Sequence, residues 1–307
     1  MRVYSIFDDF TQEAIDILTN AGVELTVHPL GVARPDQSQM KAILEEYDCV
    51  IIGTSQKITE DMFEHITTQR IIATASVGLD HIKVPEDKMA FVTIINTPKA
   101  NAQSVAEYTM ACALSCVKRL AEGNKLYSEG KNNKALYQKP EDLAEKTIGV
   151  VGAGNVATRI MEYAQFFGMK VLCWTRNPGS HSDLKEKGVQ FVSLEDLVAT
   201  ADVISVNLPN TPETKGIISP LLVEKMKPTA IFISVSRLET IGIESLIQKA
   251  EKIPSFYLCV DLDINTDVVN LIQDSPNMLI TPHIAGGTKE TRKRMFREVA
   301  EKIVEIA

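Results

Sequence analysis

The sequence predicts an α/β protein of two doubly wound parallel-sheet domains, and three observations carry that prediction. Short apolar runs alternate with amphipathic stretches along nearly the whole chain, which is the pattern of a parallel sheet with helices on both faces. A glycine-rich turn, Gly152-Ala153-Gly154, opens a second such series about half-way along. The 307 residues, 45% hydrophobic and 23% charged, also exceed what one ordinary core accommodates.

In the first series Arg2–Phe7 is expected as a strand, Thr11–Asn20 as a helix ended by Gly22, and Val23–His28 as a strand. Gln37–Glu46 and Asp61–Ile66 read as helical, and Cys49–Ile52, Ile71–Ala75 and Val92–Ile95 as strands. Thr97-Pro98 stops the last strand. Ala102, Val105, Ala106, Met110, Ala113, Leu114 and Val117 then repeat at helical spacing through Leu120. The polar stretch Tyr127–Ala144 reads as a loop or as an arm that packs on a partner. The second series runs from Lys146 to about Pro282. Its expected strands are Thr147–Val151, Lys170–Trp174, Val203–Asn207, Ala230–Ser234, Phe256–Asp261 and Met278–Thr281, and Lys289–Ile306 follows as an amphipathic helix.

Composition excludes several function classes. A net charge of −8 and a pI near 5.3 argue against nucleic acid and an anionic membrane as partners, but leave room for a basic pocket and a small anionic substrate. The first ten residues lack the apolar core of a signal peptide. No apolar run approaches the ~18 residues of a membrane span. The five cysteines are scattered, with no CxxC pair. They are expected as reduced, buried thiols in a cytoplasmic protein, with no metal site.

The glycine-rich turn carries the first chemistry. Thr147–Val151 is an apolar strand, Asn155–Phe167 has helical periodicity, and Lys170–Trp174 returns as a strand. In such a Rossmann unit the first glycine permits a tight turn, the second lets backbone approach a pyrophosphate, and Ala157 needs only a small side chain. Gly152, Gly154, Asn155 and Val156 are the expected contacts, with the anion at the helix start. The second strand usually ends in an acid that binds ribose hydroxyls. Here Thr175-Arg176 stands instead, which removes the repulsion of a 2′-phosphate and tilts the expectation from NAD towards NADP.

Two later segments place reactive side chains beyond strand ends. Arg237 follows Ile231–Ser236, and His283 lies in Thr281-Pro282-His283-Ile284-Ala285-Gly286-Gly287. Together with Ala75–Ile82, Asn96–Glu107, Asn207–Thr214, Met226-Lys227-Pro228 and Asp261, the ordered set resembles the D-isomer-specific 2-hydroxyacid dehydrogenase family, nearly end to end. That resemblance implies a flavodoxin-like substrate domain at 1–98 plus 286–307 and an NAD(P)-binding Rossmann domain at 99–285. It further implies that Arg237 and the Val77 and Gly78 amides bind a substrate carboxylate, and that His283 is the acid/base. Asn207, Pro209, Thr214, Val235, Ser236, Asp261 and Ser104 become cofactor contacts, Tyr127–Ala144 a homodimer arm, and the substrate a small 2-oxoacid.

The departures from the family lie around the chemistry. The glutamate that usually supports the histidine falls at Thr266, leaving Asp263 and Asp267 either as shorter substitutes or as solvated loop carboxylates. Leu238 stands where the family has glycine, a residue that can adopt backbone conformations others avoid. Some relatives that take phosphorylated substrates carry an arginine in the loop matching Gly53-Thr54-Ser55, where this chain has Gly53. Two functions follow: a 2-oxoacid reductase, or a dinucleotide-binding regulatory protein that has lost turnover.

Overall fold

The computed structural model describes residues 1–131, 139–271 and 276–307. It divides into two compact units, Met1–Asn101 with Thr288–Ala307, and Ala102–Gly287. The segment 99–101, placed by sequence in the second domain, stays with the first unit, where Arg294 Nε donates to the Ala100 carbonyl (2.8 Å).

The first unit begins β1 (Arg2–Ser5), α1 (Gln12–Asn20), β2 (Glu24–Val27), α2 (Gln37–Glu46) and β3 (Cys49–Ile52). Gly22 ends the α1 region at φ +77°, the left-handed conformation glycine adopts without strain. A reciprocal capping box starts α2. Gln39 N donates to Asp36 Oδ1 (2.9 Å) and Asp36 N to Gln39 Oε1 (3.0 Å). The segment expected as a helix at Asp61–Ile66 closes only a short 3-10 turn, Glu60–Phe63. So few residues do not repay helix nucleation, and burial of Met62 and Phe63 is satisfied by the tighter turn. The parallel sheet is completed by β4 (Arg70–Thr74) and β5 (Val92–Ile95), in the order β2-β1-β3-β4-β5.

In the second unit the helix expected through Leu120 is α3 (Ala102–Val117), Arg119 adopts φ +54° just beyond it, and a further helix that sequence did not indicate, α4 (Leu120–Ser128), follows. Of the expected arm Tyr127–Ala144, residues 132–138 lie outside the described residues. There follow β6 (Thr147–Val151), α5 (Asn155–Phe166), β7 (Lys170–Trp174), α6 (Ser182–Glu186), β8 (Gln190–Phe191), α7 (Leu194–Thr200), β9 (Val203–Val206), α8 (Pro220–Lys225), β10 (Ile231–Ser234), α9 (Ile243–Lys252), β11 (Tyr257–Asp261), α10 (Thr266–Leu271) and β12 (Met278–Thr281). The sheet is parallel throughout, in the order β12-β11-β10-β9-β6-β7-β8. One apolar layer joins it to α3 and α5, and another to α7, α8 and α9.

The last helix, α11 (Lys289–Ile306), belongs to the first unit. Its Phe296, Val299, Ala300 and Ile303 are fully buried, with the Phe296 ring 4.8 Å from those of both Phe7 and Phe10. Among the described residues no helix is long and apolar enough to cross a membrane.

Candidate active site

The predicted residues of the second unit all lie at or beyond the carboxyl ends of its strands or on the first turn of α3. Strand order reverses between β6 and β9, with β7 and β8 on one side and β10 to β12 on the other. Open parallel sheets bind ligands at such a switch point. Gly152 stands there at φ +108°, and a Cβ on it would lie 2.7 Å from the Asn207 carbonyl oxygen. Its amide donates to Trp174 O (2.8 Å), while Asn207 N donates to Val151 O (2.9 Å). The exits of β6, β7 and β9 are thereby tied together. Gly154 has a different role: its φ is −79°, and a Cβ there would meet nothing within 4 Å. It begins α5 without a side-chain cap, next to Asn155 and Val156, while Ala157 is fully buried below.

This arrangement fits a dinucleotide. A helix start facing open space offers N–H groups and a favourable dipole to a pyrophosphate. Asn207 Oδ1 is buried with no hydrogen-bond partner among the described residues, although its Nδ2 donates to Ser205. An orphaned buried acceptor calls for a donor from a bound group. Beyond β7, Thr175 is half-buried and Arg176 exposed, the latter in a loose pair with Glu213 (3.8 Å).

Other expected cofactor residues brace the loops. Thr214 Oγ1 donates to Pro209 O (2.6 Å) and accepts from Thr211 N (2.9 Å). Ser236 Oγ donates to Val206 O (3.1 Å) and accepts from Leu208 N (2.8 Å). Val235 lies half-buried between β10 and Arg237, and Ser104 is buried in the first turn of α3. Arg237 is half-buried, and Leu238 after it enters a short 3-10 turn, Leu238–Thr240, at negative φ. The backbone there has no need of glycine, so the substitution that looked obstructive is accommodated.

The turn after β12 is organised by Asp261, which is 3% exposed. Its Oδ1 accepts from Ile284 N (2.8 Å) and Thr281 Oγ1 (2.5 Å), and its Oδ2 from Ala285 N (2.7 Å). Because the Thr281 proton goes to the carboxylate, Thr281 Oγ1 must accept from Tyr108 OH (2.6 Å). Burial raises the Tyr108 pKa, so the phenol stays a donor. Held this way, His283 takes φ +52° and its Nδ1 lies 2.7 Å from Asp263 Oδ1. The carboxylate beside the histidine is therefore Asp263. Thr266 instead opens α10, and Asp267 sits in its first turn. Sequence reasoning had left Asp263 as one of two options and missed Tyr108 and Thr281 as positioning residues.

In the first unit, Val77 and Gly78 occupy the turn after β4. Thr97 donates to Ser76 O through N (2.9 Å) and Oγ1 (3.1 Å), Asn96 Nδ2 to Val77 O (2.8 Å), and Ser76 Oγ to Gly78 O (2.8 Å). The carbonyls are thus pinned, while the Val77 and Gly78 amides donate to no described residue. At Gly53 a Cβ would press on the Phe7 ring at 2.9 Å, and Arg34 Nη1 reaches the same loop to donate to Ser55 Oγ (2.9 Å). No group of His, Cys, Asp or Glu among the described residues is arranged to hold a metal.

Three comparisons bear on this geometry. A family model described as D-isomer specific 2-hydroxyacid dehydrogenase, NAD binding domain, matches residues 110–285. The chain is 32% identical to a hydroxypyruvate reductase of Thermotoga maritima, over 96% of this chain and 95% of that protein. It is 28% identical to a D-3-phosphoglycerate dehydrogenase of Synechocystis sp. over 98% of its own length, but spans only 55% of that protein. The D-lactate dehydrogenase of Aquifex aeolicus, solved with NAD and lactic acid, matches with a TM-score of 0.76 at 26% identity, covering 100% of this chain and 94% of that one.

Proposed function

The chain belongs to the D-isomer-specific 2-hydroxyacid dehydrogenase family, and from that premise we propose that it reduces a small 2-oxoacid, of the size of glyoxylate, hydroxypyruvate or pyruvate, at the expense of NADPH. The observation that carries the reading is the His283–Asp263 contact of 2.7 Å in a turn locked by Asp261. With Nδ1 donating to the carboxylate, Nε2 is the ring atom left to exchange a proton with substrate. Bound cofactor supplies the hydride. His283 gives the ketone oxygen its proton in reduction and removes it in the reverse direction. Arg237 provides the fixed positive charge for the substrate carboxylate, and the Val77 and Gly78 amides provide oriented dipoles for it.

Asp263 also weakens the competing reading of a regulatory protein without turnover, since that reading rested on Thr266 replacing the family glutamate together with the altered neighbourhood of Arg237. The preference for NADPH rests on Thr175, which carries no charge to repel a 2′-phosphate, and on Arg176. The Arg176–Glu213 pair is long and exposed, so it holds the guanidinium weakly and yields readily to a phosphate. A homodimer is part of the same reading, measured by light scattering.

The test is the loss of nicotinamide absorbance with a panel of 2-oxoacids, run with each cofactor. Turnover on at least one acid, with higher kcat/KM for NADPH, is expected. Tight cofactor binding with no turnover on any acid would favour the regulatory reading, and a clear NADH preference removes the cofactor assignment alone.

A further inference from the structure

We propose that the Leu79 amide is a third donor to the substrate carboxylate and that His81 is the positioning residue that aims it. The proposal rests on the reading that the turn after β4 receives that carboxylate. Neither residue is among the expected site residues.

A carbonyl oxygen such as that of Gly78 can only accept. Gly78 O lies 2.8 Å from Ser76 Oγ, so the single hydroxyl proton of Ser76 points at it. Ser76 Oγ can then only accept from Thr74 Oγ1, 2.8 Å away, which commits the Thr74 proton. Thr74 Oγ1 in turn can only accept from His81 Nε2, at 3.0 Å. The chain therefore runs one way, from His81 through Thr74 and Ser76 to the Gly78 carbonyl. Both the imidazolium and the Nε2–H tautomer supply the first donor. Thr74 is 0% and Ser76 4% exposed, so water does not substitute for a missing link.

A planar trans peptide then converts a pinned carbonyl into an aimed amide, because C=O and N–H of one peptide point in opposite directions. No peptide among the described residues is cis. Thr97 holds Ser76 O and so sets the Val77 N–H. Asn96 holds Val77 O and sets the Gly78 N–H. The His81 chain does the same for the Gly78–Leu79 peptide. Glycine before it makes this the peptide that turns most easily when unpinned. Like its two predecessors, the Leu79 amide donates to no described residue. His81 thus acts on how firmly a carboxylate is held and not on the proton or hydride step.

The experiment uses the full chain with cofactor bound, labelled with ¹⁵N at valine, glycine and leucine, and titrated with oxamate, an unreactive 2-oxoacid analogue. The Val77, Gly78 and Leu79 amide resonances should all move. In His81→Leu the Leu79 response should vanish while the other two persist. The 2-oxoacid KM should rise roughly tenfold, as for one hydrogen bond to a charged group, with kcat within about twofold. His81→Gln, whose amide donates from a similar position, should restore both readouts. If His81→Leu does not fold, Ser76→Ala cuts the same chain one link later. A Leu79 amide that ignores oxamate while Val77 and Gly78 respond overturns this proposal and leaves the proposed function standing. Silence from all three overturns the carboxylate-binding reading itself.

Discussion

In the turn after β4, the carbonyls of Ser76, Val77 and Gly78 are taken by neutral side-chain and backbone donors, and the amides are what remains. In the turn after β12, the amides of His283, Ile284 and Ala285 are taken, two of them by the single buried carboxylate of Asp261. What remains there is a side chain, the imidazole of His283, 43% exposed. The contrast shows two ways to prepare a loop for chemistry. Satisfying carbonyls produces a surface of donors for an anion. Satisfying amides with an internal anion fixes the backbone so tightly that a non-glycine residue is held at positive φ, and a proton carrier is presented.

The sharpest way to break the contrast is Asp261→Asn. It replaces one of the two accepting oxygens by an NH₂ that faces a donor and removes the charge from the other. Loss of about 3 kcal/mol of stability is expected in thermal or denaturant unfolding, with kcat reduced on the order of a hundredfold. Unchanged kcat would mean that the turn does not depend on its internal anion. Asp263→Ala comes next and separates chemistry from framework. Because Asp263 is exposed, stability should change by under ~0.5 kcal/mol, while kcat falls about tenfold or more with KM little altered. A rise in KM without loss of kcat would assign Asp263 to binding. The smallest effect is expected from Asn96→Ala in the other turn. One exposed hydrogen bond is lost, so KM for the 2-oxoacid should rise about threefold with kcat unchanged. A kcat effect there would erase the distinction between the two turns.

The elements that position these turns were legible because their signals are local. Period and apolar runs located the expected strands, and the different duties of Gly152 and Gly154 follow from the turn they share. The positions of Arg237 and His283 just past strand ends were legible too. What escaped the sequence depends on distance and direction. Spacing pointed to Thr266, but the turn brings Asp263 to the imidazole. Tyr108 reaches Thr281 across 173 residues of chain, and no period encodes such a pairing. Leu238 looked obstructive only because its backbone angles were unknown. Arg119 falls at the end of the helical repeat, where a single residue at φ +54° leaves no compositional trace of the second helix that follows. A signal for the carbonyl-pinning residues was present, since Thr74 and Ser76 alternate with apolar neighbours at a strand exit, where polar side chains seek backbone partners.

The position of α11 has a consequence for synthesis. The second unit is contiguous from Ala102 to Gly287, so every residue it needs has been synthesised before α11 is made. The first unit begins emerging earlier, yet Phe7 and Phe10 have no Phe296 to pack on until then. The order of translation and the order of completion are therefore reversed. The N-terminal sheet waits with one apolar face uncovered, a period in which chaperone capture or misassociation acts on this unit and not on the other.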